Sequence, residues 1–94
     1  MKKYAFISRH APTPEQHTLA QKKGICLVEV GDADAFNPFA LGLAAKNYAG
    51  AVVVHPAAAL TLKELGFEVG VFENGSRPVE GEKPAFFAKA LHIY

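Results

Sequence analysis

The chain has 94 residues, half of them hydrophobic and 20% charged, a length and balance that specify one compact domain over residues 1–94 and exclude a disordered tail. Ten Lys and Arg against nine Asp and Glu give a formal net charge of +1, so the broad basic surface needed to hold long nucleic acid is absent. One cysteine, with no Cys/His spacing of the zinc type, excludes a disulfide framework and a structural metal site, and neither a metal nor an organic cofactor is expected.

The chain opens on "MKKYAFIS", whose apolar part is too short for a secretory leader. No later run approaches the ~18 apolar residues of a membrane span, so a cytoplasmic location away from membranes is expected. "YAFIS" reads as a short strand buried on both faces. Thr13-Pro14-Glu15-Gln16 then supplies an N-cap, a proline at the first helical position, an acid in the first turn and a capping-box glutamine. The spacing predicts a helix from about Pro14 to Lys23, with Leu19 and Ala20 inward, His17 outward and Gly24 as its stop. "ICLVEV" is a second strand ending at Gly31-Asp32, and Cys26 inside it is expected to be a buried core thiol.

Asn37-Pro38 repeats the cap-plus-proline signal before "FALGLAAKNYAG", where Phe39, Leu43 and Ala44 with Leu41 and Tyr48 suggest the apolar stripe of a second helix. "AVVV" has no polar face and reads as a central strand. His55-Pro56 turns directly into "AAALTLKELG", a third helix closed by Gly66. Beyond it, "FEVGVFEN" and "AFFAKALHIY" are extended runs separated by the turn-rich "GSRPVEGEKP", in which Gly75 and Gly81 read as turn residues. They form an antiparallel pair, or a strand and an edge strand joined by a long loop.

Strand-helix three times and then strand-strand specifies an α/β fold, a Rossmann-like three-layer sandwich. Its mostly parallel sheet has about five strands and an antiparallel C-terminal strand. In such sheets ligands bind beyond the carboxyl ends of the strands, where strand order reverses. That rule gathers Ser8, Arg9 and His10 after strand one, Asp32 and Asp34 after strand two, His55 after strand three, and Glu73 and Asn74 after strand four. The helix starts at Thr13/Pro14 and Pro56 face the same edge, and their N–H groups with Arg9 suit an anion such as phosphate. Thr13 and Gln16 have helix capping as their plain role, Asp32 and Asp34 either bind or cap a loop, and His55 is either a helix cap or a catalytic base. His92 either lines an intersubunit groove or is an edge-strand residue without a role. A hinge needs neither Arg9 nor His10, which makes that pair the part of the segment least explained by folding.

"FISRHAPTPEQ" resembles the start of small single-domain CRISPR-associated Rossmann-like proteins, in which a strand leads into a Ser-His or His-x-x-Thr-x-x-Gln segment. The likeness continues loosely through "VVVHPAAALTL" and "RPVE…FFAKALHIY". It implies a homodimer that binds cyclic tetra-adenylate and either cleaves it as a metal-independent ring nuclease or sequesters it. Ser8, His10, Thr13 and Gln16 match the first motif, His55 matches the third-strand loop roughly, and His10 and His55 are the catalytic candidates it implies. The additional Arg9 departs from the pattern. "ISRHAPT" with "VVVHP" also imitates the histidine phosphatase pattern, with His10 as nucleophile and Arg9 as phosphate clamp. There Ala11 replaces a glycine, and those enzymes need a much longer chain. A third expectation is a non-enzymatic protein-interaction module of a mobile element or defence locus, pairing through the edge strand "AFFAKALHIY".

Overall fold

The computed structural model describes residues 1–77 and 85–94; Gly81 and the rest of the turn-rich segment over 78–84 lie outside the described residues. The elements run β1 (Lys2–Ile7), α1 (Pro14–Lys22), β2 (Ile25–Gly31), α2 (Pro38–Ala45), β3 (Gly50–Val53), α3 (Pro56–Glu64), β4 (Glu68–Arg77) and β5 (Ala85–Ile93). One five-stranded sheet has the order β2-β1-β3-β4-β5. The first four strands are mutually parallel and β5 pairs antiparallel with β4. This is the expected Rossmann-like α/β sandwich.

Side-chain alternation along the strands divides the core between two faces. Ala5, Ile7, Ala51, Val53 and Val69 point to one face and pack under Leu41 and Ala45 of α2 and Ala58 and Leu62 of α3. Tyr4, Phe6, Val52, Phe72 and Leu91 point to the other, where Ala20 of α1 covers them. One helix must shield that second face, and aromatic bulk fills the space: the Phe6 and Phe72 rings meet edge-to-face with centroids 6.4 Å apart. Among the described residues, no helix is long and apolar enough to cross a membrane.

β3 is central and begins with glycine for a steric reason. Tyr4, Gly50 and Glu68 sit side by side on β1, β3 and β4. The Tyr4 ring lies over Gly50, and its hydroxyl donates a hydrogen bond to the Glu68 carboxylate. A Cβ on Gly50 would lie 2.5 Å from the Glu68 carbonyl oxygen and 2.7 Å from Tyr4 Cε2. The missing side chain is thus the space through which the tyrosine spans three strands. Burial, reinforced by the Glu68 hydrogen bond and charge, pushes the Tyr4 hydroxyl well above its ordinary range.

Several sequence expectations are corrected. α2 docks through Leu41 and Ala45, while Phe39 and Leu43 are exposed; a helix apolar on every side carries no signal to say which side faces the core. Cys26 is exposed rather than buried. It lies on the edge strand β2, where it pairs with Lys3 of β1, itself exposed. Glu73 and Asn74 lie inside β4 rather than after it, and Gly75 lies there rather than in a turn: β4 continues to Arg77 because β5 pairs with it from Gly70 onward, with a register shift between Glu73 and Asn74. Beyond Val71 this ribbon has no β3 neighbour, which explains why polar residues there remained compatible with a strand. The ribbon also lengthens the molecule: the radius of gyration is 13.5 Å, against about 12 Å for a globular chain of this length.

Two measurements check this account of the sheet. Gly50→Ala should lower unfolding free energy by about 2 kcal/mol in urea denaturation, the usual cost of overpacking. Because the folded-state pKa of Tyr4 is raised, its stabilisation is fully present below the unfolded value of about 10 and is lost as pH climbs toward the folded value. Tyr4→Phe should therefore show a smaller loss of thermal midpoint above about pH 10 than the unsubstituted chain.

Candidate functional site

A cleft of about 300 Å³ opens at the carboxyl ends of β1 and β3, lined by Ile7 to His10, Asp32 to Ala35, Val53 to His55, and Ala58. Its position follows from topology. From β1 the chain passes to β2 on one side, and from β2 it crosses back to β3 on the other, so connections leave β1 and β3 in opposite directions and part above them. The volume is at the lower end of small-ligand sites.

Three connections build the walls. After β1, Ser8 keeps the sheet pairing for one more residue, its N–H bonding the Gly31 carbonyl at 3.0 Å. The Ser8 hydroxyl then accepts the His10 N–H at 3.2 Å. This tight serine turn sets Arg9 and His10 outward, both exposed. After β2, Gly31 has φ of 85°, a left-handed conformation natural to glycine that turns the chain toward Asp32. Asp32 then faces Arg9, with Nε to Oδ2 at 3.8 Å; the Arg9 side chain is 82% exposed. So open an ion pair contributes little stability, which leaves the guanidinium available to a better anionic partner.

His55 is the N-cap of α3. Its Nδ1 accepts the Ala57 N–H at 3.1 Å, so in the neutral ring the proton sits on Nε2, which is a donor. That geometry favours hydrogen bonding to an anion over proton abstraction. Of the two roles expected for His55, the structure shows the cap, and capping fixes the imidazole orientation at the cleft wall. Asp34 uses its Oδ1 to hold the Phe36 N–H at 2.9 Å and its carbonyl to hold the Asn37 N–H at 3.0 Å. Asn37 in turn caps α2 through bonds to the Phe39 and Ala40 N–H groups. The β2–α2 connection is therefore a fixed turn.

The expected site residues separate cleanly. Ser8, Arg9, His10, Asp32 and His55 converge on the cleft, whereas Thr13 and Gln16 do not line it. Those two form a reciprocal capping box, with the Thr13 N–H on Gln16 Oε1 at 2.9 Å and the Gln16 N–H on Thr13 Oγ1 at 3.2 Å. Glu73 lies on the ribbon, facing Lys89 and His92 at 3.9 Å each, away from the cleft lining. Among the described residues, no three His, Cys, Asp or Glu side chains converge as a metal-ligand group.

Sequence reasoning missed Phe36, a residue 77% exposed whose ring lies edge-to-face against His55, centroids 5.7 Å apart at 75°. Its signal was present: a large aromatic side chain directly before the Asn37-Pro38 helix start, where packing does not require one. In comparisons with protein-family models, curated proteins and solved structures, nothing matches the chain.

If the cap explains His55, its removal should have a definite cost. His55→Ala should destabilise the chain by about 1 kcal/mol, and His55→Asn, a good N-cap residue, by less than half of that, both read from urea denaturation midpoints.

Proposed function

We propose that the cleft binds a small phosphate-bearing nucleotide. The observation that carries this reading is the convergence of Ser8, Arg9, His10 and His55 with the N-terminus of α3 at the strand-order reversal. A phosphate there meets a guanidinium, an imidazole donor, a hydroxyl and the positive end of a helix. Asp32 opposes an anion but suits a sugar hydroxyl, the role an acidic residue after a second strand plays in dinucleotide-binding folds. Phosphate toward His55 and ribose toward Asp32 is the arrangement in which every cleft group has a complementary partner.

Within that class, cyclic tetra-adenylate bound by a homodimer is the ligand favoured by the resemblance of "FISRHAPTPEQ" to small CRISPR-associated Rossmann-like proteins. Two-fold symmetry would offer the same constellation to opposite phosphates of a cyclic ligand. Support for that motif is narrower than the sequence suggested, since Thr13 and Gln16 are occupied in capping. If the ring is opened, a ribose 2′-oxygen bonds to its adjacent phosphorus as the 5′-oxygen leaves. His10 accepts the 2′-hydroxyl proton, water supplies one to the 5′-oxygen, and Arg9 and His55 neutralise the charge on the phosphoryl oxygens. His10 suits the base role better than His55, because its ring makes no hydrogen bond among the described residues.

Titration of the full chain with cyclic tetra-adenylate should give saturable binding at micromolar concentration, and chromatography of the mixture should distinguish a linear product from intact ring. No binding sinks the cyclic tetra-adenylate reading, and binding without linear product limits it to sequestration. Arg9→Ala should weaken binding roughly tenfold to a hundredfold, as expected for one lost charge-assisted bond. It should leave the thermal midpoint nearly unchanged; a collapse in stability would make Arg9 structural.

A further inference from the structure

A 94-residue chain has many isolated surface apolar residues that require no explanation, but Phe36 differs in three respects. Its backbone is immobilised, because its own N–H and that of Asn37 are both held by Asp34. Its ring touches His55, itself locked by the Ala57 hydrogen bond. And, without lining the cleft itself, it adjoins two residues that do, following Ala35 in the chain and meeting His55 through its ring, while most of it faces solvent.

An edge-to-face contact uses an edge of one ring and a face of the other, and a phenylalanine 77% exposed retains open ring surface. Neither fold stability nor phosphate binding needs an aromatic ring there: the core clusters do not include Phe36, and a phosphate is bound by charge and hydrogen bonds. A flat apolar surface fixed beside an anion-binding imidazole fits a ligand whose phosphate and planar group are covalently joined. We infer that Phe36 is the platform on which the base of a nucleoside phosphate stacks, and is thus the residue that distinguishes a nucleotide from a bare sugar phosphate.

This rests on the phosphate reading of the cleft, and three probes separate the two. The full chain is titrated calorimetrically with adenosine 5′-monophosphate, ribose 5-phosphate and inorganic phosphate. The monophosphate should bind roughly tenfold tighter than ribose 5-phosphate, the scale of one base–aromatic stack. Phe36→Ala should erase that difference while leaving ribose 5-phosphate affinity unchanged, and Phe36→Tyr should keep it. A base preference that survives in Phe36→Ala overturns the inference, as does equal affinity of the unsubstituted chain for the two sugar phosphates; both outcomes leave the phosphate cleft intact. Failure of all three probes to bind removes the cleft reading, and the platform with it.

Discussion

The right-handedness of the β–α–β crossover is the constraint on which the rest of this molecule depends. Because β2 lies on one side of β1 while β3 and β4 lie on the other, right-handed connections must put α1 on one face and α2 and α3 on the opposite one. The two core clusters record that division. The same constraint pulls the connections apart above β1 and β3, and the cleft is the gap that remains. Fold and site are therefore consequences of one topological fact.

Helix starts then decide the chemistry of that gap. His55 caps α3 and lines the cleft, while Asp34 fixes the turn that ends in the cap of α2. Groups that satisfy backbone N–H groups are thereby held in single orientations, which is the preorganisation that binding and catalysis need. The Ser8 turn does the same for Arg9 and His10 after β1. By contrast the Arg9–Asp32 contact, long and open to solvent, is the least constrained of these.

Much of this was legible in the sequence because its signals are local. Thr13-Pro14, Asn37-Pro38 and His55-Pro56 each mark a helix start, and all three helices begin at those prolines. Strand order placed Ser8, Arg9, His10, Asp32 and His55 together for the same reason, since each follows a parallel strand. What was hidden depends on distant neighbours. The exposure of Cys26 goes with its place on an edge strand, and that of Phe39 and Leu43 with which side of an all-apolar helix meets the sheet. The strand character of Glu73, Asn74 and Gly75 is set by β5. Phe36 was not singled out because what sets it apart is a contact with His55, nineteen positions on in the sequence.

A nucleotide seated at the strand-order reversal should leave a specific mark on the backbone. Amide chemical shifts recorded by heteronuclear NMR while cyclic tetra-adenylate is added measure this residue by residue. The changes should concentrate at Ser8 to His10, Gly31 to Phe36 and Val54 to Ala58, and leave the β4–β5 ribbon and the Thr13–Gln16 cap unshifted unless the ribbon meets a second copy. Shifts confined to the apolar groove between α3 and Tyr94, or none at saturating ligand, would contradict the assignment of this cleft as the binding site.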